Sequence, residues 1–351
     1  MPEDKVFQYD QILKLESGGI LPSFQLQYTT RGKINAAGTN VVWVCHALTG
    51  SAEFTSWWPG LFGENELFDP REYFIICANT LGGCYGSTGP LSVNPITKKP
   101  YHHLFPFITN RDIVYAFNLL RQHLGIHQVH TLIGGSLGGQ QALEWAIMQP
   151  NIFQHLIQIA SNAKHSPWGI AFNESQRQAI VQDLTWQLNI DTAGLAGMKV
   201  ARSIALLSYR NYQTYQCTQS DQSEGQLDGF RASAYQVYQG EKLAKRFNAF
   251  TYWTLSKVMD AHHVGRGRGG MDAALKTIRA KALFVGITSD VLFPLQEQEY
   301  LADRVPGSSF EKIDSIYGHD GFLVEVTKLT HIIRDFFKKG PPEEAVAWKT
   351  K

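Results

Sequence analysis

Cysteine is scarce in this chain: four in 351 residues, namely Cys45, Cys77, Cys84 and Cys217. They are scattered and show no C-x-x-C spacing, so neither a zinc site nor a disulfide framework is indicated. Charge imbalance is missing too. Lys and Arg number 32 against 31 Asp and Glu, a formal net charge of +1. A chain so balanced gives no reason to expect nucleic acid or a membrane surface as its main partner. No apolar run reaches membrane-spanning length. The opening MPEDKVFQYD is too polar for a secretory signal peptide. There is no internal repeat, no low-complexity tract and no H-E-x-x-H zinc motif. These absences fit a reducing, cytoplasmic setting and chemistry that needs neither a metal nor a resident cofactor.

What is present describes an ordinary globular protein. Hydrophobic residues make up 44% and charged residues 18% of the chain, enough for a substantial core. The length suits two domains, or one large α/β domain carrying an insertion. Alternating apolar positions around Gly18-Gly19, from about Val6 to Tyr28, predict early antiparallel strands. Val41–Cys45 and Tyr73–Cys77 read as buried strands. The first runs into His46-Ala47-Leu48-Thr49-Gly50, the second into Asn79 and a glycine-rich loop, Gly82 to Gly89. Asn110 to Leu124 reads as a helix, and Phe153 to Ile159 as another strand ending in Ser161 and Asn162. Alternating strands and helices predict a mostly parallel sheet, with functional groups at the carboxyl ends of its strands.

The character changes near Lys164. From there to about Ile278 the patterns are helical, clearest over Ala171–Leu188, Leu195–Ser208 and Ala244–Val258. Strand signals return at Ala282–Gly286 and Phe310–Ile313, before a final helix over Leu323–Phe337 and a polar tail. The predicted organisation is a core in two parts, 1–164 and 279–351, with a helical lid inserted over 165–278.

The most informative stretch is Val129 to Pro150, VHTLIGGSLGGQQALEWAIMQP. It reads as a strand, a glycine-rich corner and a helix that stops at Pro150. The corner contains G-x-S-x-G, with Gly134 and Gly138 flanking Ser136. A nucleophilic serine between strand and helix must sit on a very tight turn, where only small neighbours fit. Such a turn exposes the hydroxyl and leaves the Leu137 N–H facing a developing oxyanion. The competing reading, a glycine-rich turn that merely packs, does not account for the strand before it and the helix after it.

A serine nucleophile needs a base, and the base needs an orienting acid. In the α/β-hydrolase architecture the order is Ser, then Asp or Glu, then His, on loops after later strands. Asp290 follows the strand Leu283–Ile287, and His319 follows the strand at Phe310. Taken singly, Asp290 reads as a turn residue and His319 as a surface histidine; their order and positions favour an acid and a base. A second oxyanion donor belongs on the loop after an early strand, which selects the Leu48 N–H by position. Weaker signals surround these. Gly265-Arg266-Gly267-Arg268-Gly269-Gly270 matches G-x-G-x-x-G, but it follows a helical pattern instead of the strand that a dinucleotide site requires. Its arginines fit the phosphates of a CoA-type donor or a structural turn equally well. His102-His103 and His262-His263 are adjacent pairs that point apart on any regular element, and so make poor metal ligands.

With these residues in place, the chain resembles the homoserine O-acetyltransferase family of the α/β-hydrolase superfamily. The resemblance runs through CHALTG at Cys45, NTLGGCYGSTGP at Asn79, IGGSLGGQQALEWA at Ile133, ARSIALLSYR at Ala201, GRGRGG at Gly265, ITSDVLFP at Ile287 and YGHDGFL at Tyr317. It implies a nucleophile at Ser136, an acid at Asp290 and a base at His319. It also implies a substrate-anchoring arginine at Arg202 and aspartate at Asp320, with Thr49 and Tyr209 lining the substrate pocket. The reaction it implies is acetyl transfer from acetyl-CoA, a co-substrate, to L-homoserine on the route to methionine, in a homodimer joined through lid helices. Relatives acting with succinyl-CoA or on L-serine carry similar motifs, and a plain ester hydrolase would share the catalytic serine. One departure stands out. Where the family usually reads R-F-D-A-N-S-Y, this chain has Arg246-Phe247-Asn248-Ala249-Phe250-Thr251-Tyr252, which removes an acid from the lid and adds an aromatic.

Overall fold

In the computed structural model, residues 5–339 are described; the first residues of the polar opening and the polar tail lie outside them. The chain begins with β1 (Lys5–Tyr9), a short pair β2 (Leu13–Lys14) and β3 (Ile20–Leu21), and β4 (Phe24–Arg31). Then come β5 (Val41–Cys45), a one-turn helix α1 (Phe54–Trp57), β6 (Phe74–Ala78), α2 (Asn110–His123), β7 (Val129–Gly135), α3 (Leu137–Met148) and β8 (Phe153–Ile159). Helices α4 (Pro167–Val181), α5 (Leu195–Tyr209), α6 (Tyr212–Gln219), α7 (Arg231–Ala244), α8 (Ala249–Asp260) and α9 (Met271–Leu275) follow without an intervening strand. The chain returns to the sheet through β9 (Lys281–Ile287), α10 (Leu295–Ala302) and β10 (Ser309–Ile313), and closes with α11 (Gly321–Val324) and α12 (Val326–Lys338).

Eight strands form one sheet in the order β1-β4-β6-β5-β7-β8-β9-β10. β4 pairs antiparallel with both neighbours, and every other pairing is parallel. The parallel strands are apolar on both faces because helices cover both sides. Along β5, Trp43 and Cys45 enter the core beneath α2 and α3, where the Trp43 and Trp145 rings meet edge to face at 4.8 Å. Val42 and Val44 face the other way, into the layer under α1 and α12. α12 buries Leu329, Ile333 and Phe336 there, one helical stripe. β5 and β7 are neighbours, yet β5 leads on to β6 at one side and β7 to β8 at the other. This is the switch point where open α/β sheets form a crevice.

The helices between β8 and β9 leave the sheet through a narrow base. His165 N–H donates to His262 O at 3.0 Å and Val264 N–H to Ala163 O at 3.0 Å, an antiparallel bridge between the outgoing and returning strands of chain. Within the insertion α4 and α5 pack closely. A Cβ on Gly197 would stand 2.4 Å from the Ala179 carbonyl oxygen, so only glycine permits this approach. Among the described residues no helix is long and apolar enough to cross a membrane.

Three helix expectations need correction. The helix expected over Ala171–Leu188 runs over Pro167–Val181. Ser166 caps its start by accepting from Gly169 N–H. Just past its end, the Asp183 carboxylate accepts the Thr185 and Gly197 N–H groups, an alternative to further helix. The helix expected over Ala244–Val258 starts only at Ala249, as α8. α7 ends at Ala244, and Asn248 caps α8 by accepting from Thr251 N–H at 2.8 Å. The final helix breaks at Glu325, where φ −87° and ψ 43° interrupt the spiral.

Candidate active site

The crevice between β5 and β7 brings the predicted groups together. Ser136 joins β7 to α3 with φ 56° and ψ −125°, a backbone conformation strained for a residue with a side chain. Its surroundings hold it there. Ser136 N–H donates to Ile159 O at 3.0 Å, while its carbonyl accepts from Ser161 Oγ at 2.8 Å and Gln140 N–H at 3.1 Å. The flanking glycines are required by contact. A Cβ on Gly134 would lie 2.3 Å from Gly138 O, and one on Gly138 would lie 2.1 Å from Cys45 O.

Ser136 Oγ lies 2.9 Å from His319 Nε2, and His319 Nδ1 lies 2.7 Å from Asp290 Oδ2. The other Asp290 oxygen accepts from Leu292 and Phe293 N–H at 2.8 and 2.9 Å. Phe293 then stacks on the His319 ring, with centroids 5.1 Å apart. The Asp290 side chain is wholly buried and that of His319 nearly so. The ring is therefore held by a carboxylate at one nitrogen and a hydroxyl at the other. Such an arrangement takes a proton from the serine and stabilises the resulting imidazolium.

Leu48 lines the pocket that holds Ser136 and His319, and Leu137 directly follows Ser136 in the chain. Leu137 is the first residue of α3, where a helix leaves its N–H groups unpaired. Among the described residues, neither N–H has a hydrogen-bond partner in the chain. The cavity is small, about 80 Å³, and is lined by Leu48, Ser136, His319 and the adjacent Asp320, and by Arg202 and Tyr209 from α5. Thr49 lies on its rim, its carbonyl accepting from Arg246 Nη1 at 2.6 Å. A larger cavity, about 350 Å³, lies between the loop at His102–Phe107 and α8, and no triad residue lines it.

α5 supplies the opposite wall. Arg202 sits over the Tyr209 ring, its guanidinium carbon 5.2 Å from the centroid. Its Nε and Nη1 are buried and have no hydrogen-bond partner among the described residues. Tyr209 is 5.7 Å from the His319 ring, and burial raises its phenol above the usual range. Asp320 is already engaged: Arg210 Nε lies 2.8 Å from its Oδ2, a charge contact off the hydrogen-bonding axis. Sequence reasoning missed Arg210, although it ends the ARSIALLSYR stretch at the C-terminus of a helix. It also missed His46 and Thr80, polar residues at the carboxyl ends of β5 and β6. Their position, where a parallel sheet collects function, was the available signal.

The remaining candidates are structural. Arg266 pairs with Glu16 at 3.0 Å, and Arg268 with the buried Glu144, which Arg111 also contacts. The GRGRGG segment is thus a brace between the insertion and the core, with its arginines already committed to carboxylates. His262 is buried, within hydrogen-bond distance of Asn162 O at 3.0 Å and Asn110 Nδ2 at 3.2 Å. The departure at 248–250 is accommodated. Asn248 caps α8, and Phe250 is buried against His102 and Trp186, with ring centroids 5.0 Å away in each case.

Fold and site together define a class, the alpha/beta hydrolase fold, whose family model matches residues 40–326. Within that class the similarity is closer. A homoserine O-acetyltransferase of Cyclobacterium marinum is 51% identical over 333 residues, 95% of each chain. Another, from Trichormus variabilis, is 44% identical over 92% of this chain and 90% of its own. The chain belongs to the homoserine O-acetyltransferase family. The crystal structure of homoserine O-acetyltransferase from Bacillus anthracis, 21% identical, superposes with a TM-score of 0.90 over 97% of this chain and 99% of its own, a likeness of fold.

Proposed function

We propose that this protein transfers the acetyl group of acetyl-CoA to the hydroxyl of L-homoserine through an acetyl-Ser136 intermediate. His319 Nε2 accepts the Ser136 proton as Oγ attacks the thioester carbonyl. The Leu48 and Leu137 N–H groups receive the charge on the tetrahedral oxygen. The carbon–sulfur bond breaks, and the CoA thiol leaves with the proton from His319. L-Homoserine then enters, and its hydroxyl gives a proton to His319 as it attacks the acetyl carbonyl. The ester bond to Ser136 breaks, Oγ recovers the proton, and O-acetyl-L-homoserine departs. The protein needs no resident cofactor for this.

The observation that carries the acceptor side is Arg202. Two buried guanidinium nitrogens without partners border the pocket that holds Ser136 and His319. Leaving such donors unpaired is costly, and the carboxylate of an amino acid satisfies them. Asp320, next in sequence to the base, is the anion for the ammonium. Its Oδ1 is unengaged among the described residues, while Oδ2 faces Arg210. Thr49 and Tyr209 complete the pocket wall. The working form in this reading is a cytoplasmic homodimer joined through the lid helices. Exposed apolar side chains on α5 and α7, Val200, Leu207, Val237 and Tyr238, support that face.

The test is CoA release, followed with a thiol reagent. Purified protein receives acetyl-CoA or succinyl-CoA, each with L-homoserine or L-serine, and Ser136→Ala serves as the blank. Fast release is expected only with acetyl-CoA and L-homoserine. A preference for another pair replaces the donor or the acceptor. Release that does not depend on an acceptor points to an ester hydrolase and overturns the reading.

A further inference from the structure

The Leu48 N–H shares a peptide unit with the Ala47 carbonyl, and across a trans peptide the two bonds point in opposite directions. Whatever holds that carbonyl therefore aims the N–H. Ala47 O has two partners, His46 Nδ1 at 2.8 Å and Gly50 N–H at 2.9 Å. The Gly50 contact closes a local turn. The His46 contact ties the same carbonyl to the rest of the core.

The geometry also settles which imidazole nitrogen carries the proton. His46 Nε2 faces the Thr80 backbone N–H at 3.0 Å. A backbone amide only donates, so Nε2 accepts, and the ring proton is on Nδ1, where it donates to Ala47 O. Thr80 Oγ1 lies 3.0 Å from the same nitrogen and 3.4 Å from Gln141 Nε2. His46 is 3% exposed, and burial pushes its imidazole down to about 4. The ring stays neutral near pH 7, with one donor and one acceptor, each engaged. It also joins the carboxyl end of β5, which carries Leu48, to the carboxyl end of β6, which carries Thr80.

We infer that His46 is a positioning residue for the oxyanion site: its Nδ1–H holds the Ala47 carbonyl so that the Leu48 N–H faces the pocket of Ser136, and the Thr80 N–H fixes the tautomer that makes this possible. The inference rests on Leu48 as an oxyanion donor, as in the proposed mechanism. It adds a residue that touches neither substrate, yet is expected to govern the stability of both tetrahedral intermediates.

The experiment compares His46→Phe and His46→Asn with the parent protein. One assay is acetyl transfer to L-homoserine; the other is the acyl burst with p-nitrophenyl acetate, which needs no acceptor. Sites are counted with a serine-reactive fluorophosphonate, so that rates refer to folded protein. His46→Phe, which keeps a ring but has no donor, is expected to lower kcat about 100-fold in both assays, the scale of losing one oxyanion donor. KM should change less than about 3-fold, because ground-state binding does not use the oxyanion site. The pH–rate profile should drop without changing shape. His46→Asn, whose amide can donate to Ala47 O, is expected to recover at least about tenfold of the loss. Parental kcat per titrated site in His46→Phe overturns the inference. If His46→Phe does not fold, His46→Asn and His46→Asp decide: they are nearly the same size and only Asn donates, so equal rates overturn it. Failure of the underlying mechanism looks different, because Ser136→Ala would then keep the acyl burst.

Discussion

The two walls of the pocket are built on different terms. On the sheet side every group of the Ser136–His319–Asp290 chain is already paired, and the strained Ser136 backbone is held by three hydrogen bonds. Facing the acceptor, Arg202 on α5 has buried nitrogens without partners among the described residues, and Asp320, next to the base, shares itself with Arg210. The contrast separates two tasks. Bond-making needs groups that do not reorganise during the reaction, so they are fixed beforehand. Recognition of a charged acceptor draws its energy from donors that only the acceptor satisfies, so they are left open.

Breaking the first wall should have the largest effect. Ser136→Ala is expected to lower turnover by roughly 10⁴-fold or more, as removal of a triad nucleophile does; steady-state CoA release measures it, and retention of most activity would falsify the nucleophile assignment. Breaking the second wall should be milder and selective. Arg202→Met is expected to lower kcat/KM for L-homoserine by about 10–100-fold, the scale of one charge-assisted hydrogen bond, while the acetyl-enzyme still forms at the parental rate. Slowed acylation in a single-turnover experiment would instead put Arg202 on the donor's path.

Two smaller effects sharpen the picture of a fixed wall. Gly138→Ala places a methyl group against the Cys45 carbonyl, at 2.1 Å before relaxation. Overpacking of this kind costs about 1–3 kcal/mol, to be read from denaturant unfolding. The last effect concerns pH. Burial pushes the imidazoles of His46, His130 and His165 down to about 4 and that of His262 to about 3. Unfolded histidine titrates near 6.5, so between these values the unfolded chain binds more protons and the native state loses stability as pH falls. Glu297 acts the other way. Burial raises it to about 7, so from about 7 down to 4.5 the native state binds more protons than the unfolded chain. Four imidazoles outweigh the Glu297 carboxyl and predict a Tm that falls by on the order of 10 °C between pH 6.5 and 4.5. Glu297→Gln should steepen that fall, and an unchanged slope would mean that Glu297 is ionised in the native state.

The features legible in the sequence share a physical basis. Ser136 and Asp290 follow apolar strands and His319 follows the edge strand β10; strand and corner chemistry is local, so order along the chain translated into proximity. The sheet itself was readable because helices cover both of its faces, leaving near-continuous apolar runs such as Val41–Cys45. Long-range polar pairing was not legible. Nothing near Arg210 announces Asp320, and nothing near Arg268 announces Glu144, since an ion pair leaves no periodicity in sequence. Helix ends were hidden for a related reason. Asn248 starts α8 inside an apolar pattern that runs through it, and the hydrogen bond its side chain accepts from Thr251 N–H sets the boundary. α10 went unnoticed because eight residues hold too few turns to show a pattern.

The bridge between Ala163–His165 and His262–Val264 gives the insertion an unusual status. Seen from the sheet, residues 166–261 are a detour that returns to its own starting point. Such a detour can grow, shrink or be exchanged with little change in the entropy of closing the chain around it, and without shifting the register of β8 against β9. The helix that carries Arg202 is therefore an exchangeable cassette in architectural terms, mounted over machinery that stays the same.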